Sequence, residues 1–304
     1  MLLKGLQLYL TKKLNLFITM ELQMKKYLLL LCTTSILPFS ALASHHEPVS
    51  DQVIEAQRAE LQKNTIGKGF GPQSPRDIDD LSGTNQQLFS AAPSASKMNL
   101  CNIHFHKNAE HKGGEFTRYA GNGSGDGYSS GYQYTGSLTK DELAPTNNPV
   151  GKNSHSELFP GDTIEVHYVY SSAQVTPGPT LGACLSDSIK NPELRVESQV
   201  FVLVNDKSAL NFVELTKDAN EGGYQQAINI PSNSGSPVQY KGSTTGPSYN
   251  EAGSPFQVTW NVRPKVLKVD IKTVDTWLKG NQYKEDHAHG VRNLVINPAL
   301  LSAK

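Results

Sequence analysis

The chain has 304 residues, of which 28 are basic, 28 acidic and 37% hydrophobic. Five of the basic residues and one acid fall before residue 44, so the remainder is modestly acidic. That balance argues against a nucleic-acid partner or an anionic-membrane surface, and the length suffices for one sizeable core.

From Met24 the chain reads Met-Lys-Lys, then an apolar run from Tyr27 to Leu31, small and apolar residues to Phe39, and Ala41-Leu42-Ala43. A basic start, a short apolar core and a small-x-small site predict a signal peptide over 24–43, cleaved after Ala43. The apolar stretch is short for a span, which needs about 20 residues, so no stable membrane span is expected after cleavage. Residues 1–23 read as an upstream extension. The expected location is periplasmic or secreted. Cys101 and Cys184 lie beyond the cleavage site, and an oxidising compartment predicts a disulfide between them.

Residues 44–69 read as a polar arm with a helical pattern at Val53, Ile54, Ala56, Ala59 and Leu61. The main folded domain is expected over 70–304. Strands are predicted at 100–107, 163–170, 196–204, 211–215, 256–262 and 265–272, from Val-, Ile-, Phe- and Thr-rich runs between Gly, Pro and Asn. The Gly/Ser/Tyr stretch 119–137 reads as a loop. A long polar connection over 217–250 is expected to be functional or to carry hidden structure. Residues 273–279 predict a short helix. The fold class is mainly β: one domain on a large mixed or antiparallel sheet, with long loops and few short helices.

The chemistry starts in the first strand. Alternation puts His104 and His106 on one face and Ile103 and Phe105 on the other. Two imidazoles side by side can make two bonds to one metal ion, and Glu110 and His111 follow within reach. On the strand at 163–170, Glu165 and His167 share one face. Three neutral imidazoles with an open fourth position make a catalytic zinc pattern. Glu165 is the candidate carboxylate for the far nitrogen of His167. Zinc in such a set lowers the pKa of bound water to about 7, giving hydroxide at neutral pH. A threonine hydroxyl whose proton goes to a buried carboxylate can then only accept, and so aims that hydroxide. Glu110 fits the carboxylate role, and Gly242-Ser243-Thr244-Thr245-Gly246-Pro247 offers the threonine.

His104-Phe105-His106, Glu110-His111 and Glu165-Val166-His167 resemble the α-class carbonic anhydrase pattern H-F-H, E-H and E-L-H. Gln73-Ser74-Pro75-Arg76-Asp77-Ile78 resembles that family's early Q-S-P-x-x-I. Residues 242–247 resemble its G-S-L-T-T-P loop, and Val258-Thr259-Trp260 its V-T-W strand. The compressed spacing from His106 to Glu110, the long segment before His167, and His287-Ala288-His289-Gly290-Val291-Arg292 look closer to the δ-class and its bacterial relatives. The resemblance implies zinc on His104, His106 and His167, and reversible hydration of carbon dioxide to bicarbonate by zinc hydroxide. It places Glu110 behind a gatekeeper that is Thr245 when aligned without a gap, or Thr244 when aligned on the threonine pair. His111 and Glu165 would support the ligands from behind. The partner is a small molecule, and the reading leaves room for an oligomer. No residue is assigned as proton shuttle; His155, His45 and His46 have suitable chemistry but read as solvated surface histidines.

Two rival readings remain. His104, His106, Glu110 and His167 also match the ligand spacing of cupins, where the glutamate binds iron or manganese directly. Against that, Pro160 and Gly161 are adjacent rather than one residue apart, and no asparagine follows His167 as that motif wants. A secreted, non-catalytic carbonic-anhydrase relative is the other, although such proteins usually lose a ligand histidine.

Overall fold

The computed structural model describes residues 47–246 and 249–303. The segments expected to be a signal peptide and an upstream extension, together with His45 and His46, lie outside the described residues, as does Pro247. Among the described residues no helix is long and apolar enough to cross a membrane.

Helix α1 (Asp51–Thr65) forms where the polar arm was expected. Asp51 in its first turn and Lys63 in its last suit the helix dipole. Leu61 buries against Val295, Leu300 and Leu301. Then follow β1 (Asn99–Lys107), β2 (Arg118–Tyr119), β3 (Tyr132–Gln133), β4 (Thr163–Ser171) and β5 (Leu194–Val204). The short helix α2 (Phe212–Leu215) replaces the strand expected at 211–215. The reason is local: the Asn211 side chain accepts from the backbone N–H of Val213 and Glu214 and so caps a helix. The long connection does hold hidden structure, namely β6 (Asp218–Glu221), β7 (Tyr224–Ala227) and β8 (Val238–Gly242). Strands β9 (Val258–Val262) and β10 (Leu267–Asp270) follow. The strand expected to run to 272 stops at Asp270, whose side chain accepts from Lys272 N–H and starts α3 (Ile271–Leu278).

The main sheet has the order β1-β4-β5-β9-β8, with β10 also on β5. It is mixed: β5 pairs parallel with β9 and β10, while the β1–β4, β4–β5 and β8–β9 pairs are antiparallel. The protein is therefore mainly β on a mixed sheet, with few short helices. Every residue of β4 is buried, so both faces of the sheet are covered. On one face Ile103 and Phe105 pack with Ile164, Val166, Phe212 and Trp277. Phe105 meets Phe212 edge-on at 5.6 Å between ring centres.

The register carries the site. His104 stands opposite His167, and His106 opposite Glu165. Directly opposed residues on one face of an antiparallel pair bring their side chains into contact. A register shift between Leu100 and Asn102 marks a bulge at Cys101. Cys101 bonds Cys184 in a fully buried disulfide that ties the 3₁₀ turn Leu181–Cys184 to the histidine strand.

The bridge closes a loop across 83 residues of sequence. The double variant Cys101→Ala, Cys184→Ala should unfold in urea with a stability loss of about 2–5 kcal/mol. An unchanged midpoint would show that the bridge constrains nothing in the unfolded chain.

Candidate metal centre

The β1–β4 register brings His104, His106 and His167 together, with one ligand nitrogen from each lying within 4.8 Å of the others. Which nitrogen faces inward follows from what the other one touches. The Asn102 amide donates to Gly178 O, which leaves its Oδ1 to accept from His104 Nδ1–H at 2.6 Å. The carbonyl of Gly290 can only accept, so His106 Nδ1 donates to it at 2.7 Å. Glu165 Oε1 accepts from His167 Nε2–H at 3.0 Å. The three remaining nitrogens, His104 Nε2, His106 Nε2 and His167 Nδ1, therefore carry lone pairs.

Those lone pairs converge. His104 Nε2 and His167 Nδ1 are 3.3 Å apart. Two nitrogens at the usual Zn–N distance of about 2.0–2.1 Å, in a tetrahedron, stand roughly 3.3–3.4 Å apart. Three lone pairs facing one point, two of them on buried rings, repel one another unless a cation sits between them. The donor set thus fits a zinc ion with one position left open. Burial, and then neighbouring imidazoles, hold His104 well below its ordinary pKa. Burial likewise brings His106 down to about 4, and lowers His167 against the opposing pull of Glu165. All three are neutral at pH 7, as ligation requires.

Glu165 has no solvent exposure and accepts five hydrogen bonds. The backbone N–H groups of Glu110 and His111 reach its Oε2 at 2.7 and 3.2 Å. His111 Nδ1, His167 Nε2 and the Ser198 hydroxyl reach Oε1 at 2.7, 3.0 and 2.5 Å. Burial alone would raise its pKa, but the imidazoles of His111 and His167 hold it well below the usual carboxylate range. His111, Glu165 and His167 also form a possible ligand group by distance. Their facing atoms are already engaged in this network, so it supports the centre rather than holding a second ion.

His111 continues inward. Its Nε2 lies 2.7 Å from the Tyr240 hydroxyl, which donates to Ser74 Oγ at 3.0 Å. Ser74 Oγ also accepts from Ser243 N–H, and Gln73 Oε1 accepts from the Ser243 hydroxyl. The early Gln73-Ser74-Pro75 segment and the threonine loop are thereby tied to one anchor. A side chain at Gly242 would place Cβ 2.1 Å from Ser74 Oγ, so this close approach requires glycine.

Glu110 is buried, and burial raises its pKa. Its Oε1 accepts from Arg292 N–H at 3.3 Å. Its oxygens lie 3.9 Å from His106 Nδ1 and 4.0 Å from His167 Nε2, beside the nitrogens that do not face the metal point. Glu110 is absent from the ligand group, which removes the main support for the cupin reading. Thr244, Thr245 and Gly246 line the pocket over the histidines. Among the described residues neither threonine hydroxyl bonds Glu110, so the expected threonine–carboxylate contact is not formed here.

Several pocket residues escaped the sequence reading. Asn102 was detectable, two residues before His104 on the same strand face. The Gly290 carbonyl was not, because any residue supplies one. His289 stacks on His104 at 5.3 Å and pairs with Glu285 at 2.5 Å. Thr180 and Leu181 complete the wall from the disulfide turn. His155 instead stacks on Tyr128 at 4.6 Å.

Replacing Glu165 with Gln should weaken zinc binding roughly 10–100-fold, read by chelator competition; unchanged affinity would remove its role. The pH dependence also has a sign. For His106 the unfolded chain takes up protons below about 6.5 and the folded chain only near 4. Stability of the metal-free protein should therefore fall as pH drops through that window. A melting temperature flat across it would contradict neutral, buried ligands.

Residues 95–273 match the delta carbonic anhydrase family model. The matched span contains His104, His106, Glu110, His111, Glu165, His167, Thr244 and Thr245. No curated protein matches the chain. Among solved structures, the chain is similar to a hyperthermostable carbonic anhydrase from an active hydrothermal vent chimney, at 14% identity and a TM-score of 0.28 over 77% of this chain and 87% of that one. It is similar to the alpha-carbonic anhydrase of Thermovibrio ammonificans, solved with the inhibitor sulfanilamide, at 16% identity and a TM-score of 0.26 over 77% and 87%. A third is the Photobacterium profundum alpha-carbonic anhydrase, at 15% identity and a TM-score of 0.26 over 78% and 93%. With a family model spanning more than half of its length, the chain belongs to the delta carbonic anhydrase family.

Proposed function

We propose that this protein hydrates carbon dioxide reversibly to bicarbonate and a proton, at a zinc ion held by His104 Nε2, His106 Nε2 and His167 Nδ1. The convergence of three neutral imidazole lone pairs on one point carries this reading. Zinc held by three neutral imidazoles lowers the pKa of bound water to about 7 and so supplies a nucleophile at neutral pH. The protein's own part is to orient, exclude and hold.

Asn102, the Gly290 carbonyl and Glu165 fix the three tautomers, so no imidazole has to turn before it binds. The pocket lined by His104, His106, His167, Glu110, Thr244 and Thr245 encloses about 60 Å³. Sites for drug-sized ligands run to roughly 300–1,000 Å³, so a substrate of a few atoms suits this one. Thr245, with Thr244 as the alternative, would orient the attacking oxygen. Glu110 Oε2 accepts no hydrogen bond among the described residues, which suits it to accept one from that threonine's hydroxyl. A threonine held in this way can only accept.

The segment resembling a signal peptide and the buried Cys101–Cys184 bridge support work in an oxidising compartment, periplasmic or extracellular.

Metal analysis and stopped-flow hydration test the reaction together. Wild type should carry one zinc per chain and hydrate carbon dioxide well above the buffer rate, and His104→Ala should lose both. Zinc-loaded wild type with only the buffer rate would sink the proposal.

A further inference from the structure

Thr180 has φ 57° and ψ 172°, a conformation that is essentially confined to glycine. The surrounding chain explains how a threonine is kept there. Gly178 is held on β1 from both sides: its N–H donates to Cys101 O at 3.0 Å, and its carbonyl accepts from the Asn102 amide at 3.0 Å. At the other end Cys184 is fixed by the disulfide to Cys101, and its carbonyl accepts from the Ser171 hydroxyl at 2.7 Å. Only five residues separate Gly178 from Cys184. The turn they form puts Thr180 and Leu181 into the wall of the pocket over the histidines.

A strained residue that persists in a pocket wall is a candidate for function, because glycine would hold the same backbone without strain. The hydroxyl of Thr180 already accepts from Gly182 N–H at 3.1 Å. Thr180 is exposed, and among the described residues no acceptor takes its proton, which meets water until a ligand takes the water's place. The other hydroxyls of the pocket belong to Thr244 and Thr245, on a separate loop. A bicarbonate ion offers acceptor oxygens for such a donor.

We propose that Thr180 is a substrate-binding residue of the metal pocket, donating its hydroxyl proton to an oxygen of bicarbonate. This rests on the carbonic anhydrase reading of the same site. The strain is what presenting this donor costs the fold, and Asn102 couples the two, since one amide holds the turn and orients His104.

The test is calorimetric titration of bicarbonate into the zinc-loaded protein, alongside thermal unfolding, for wild type, Thr180→Gly, Thr180→Ala and Thr180→Ser. Thr180→Gly should melt at or above the wild-type temperature and bind bicarbonate about tenfold more weakly. Thr180→Ala should show the same loss of affinity, and Thr180→Ser should keep wild-type affinity. A purely structural role would not give a more stable variant that binds less. Wild-type affinity in Thr180→Gly, equal weakness in Thr180→Ser, or no bicarbonate binding by wild type would each overturn the proposal. Turnover is read separately: binding that depends on Thr180, without carbon dioxide hydration, supports this role and overturns the proposed reaction.

Discussion

A carboxylate with no access to water, Glu165, sits on β4 with β1 on one side and β5 on the other. Removing an ion from water costs several kcal/mol even after the protein relaxes. Five donors to Glu165 offset that cost, three of them from the 110–111 turn and one each from β4 and β5. Two come from the backbone after β1, one from the ligand His167, one from His111 and one from β5. Because a carboxylate can only accept, the nitrogen that faces it on each imidazole is the donor. The lone pair of His167 points toward the other histidines because of Glu165. The turn at 110–111 is held against β4 for the same reason, and this puts Glu110 beside the ligands without making it one.

The same logic extends outward through His111, Tyr240 and Ser74 to the threonine loop, and through Asn102 to the disulfide turn. Both pocket walls therefore hang from the two strands that carry the ligands. Behind those strands, Phe105 packs into an aromatic cluster with Phe212 and Trp277. The polar face is positioned by an apolar one, and a change in either would reach the other.

Much of this was legible in the residues. The alternation of His104 and His106 with Ile103 and Phe105 is a period of two, and the strand gives that period one meaning. Glu165 and His167 follow the same rule, so the ligand set and the sheet's two faces could be read together. What was hidden depends on tertiary contact. The Gly290 carbonyl has no sequence signature, and nothing in Ser198 announces a donor to Glu165. Helix α2 was misread because its apolar residues suggested a strand, although Asn211 signalled a cap. Strands β6 to β8 were hidden in a polar connection with few of the β-branched residues that mark strands. The proximity of Thr180 to the histidines follows from a bridge and two hydrogen bonds that spacing does not reveal.

The whole arrangement depends on which atoms hold the ion. A crystal of the zinc-loaded protein, with anomalous data at the zinc edge, would locate it directly. The account predicts one peak bonded to His104 Nε2, His106 Nε2 and His167 Nδ1, with Glu110 not bonded to it. A peak elsewhere, or one that Glu110 ligates, would contradict it.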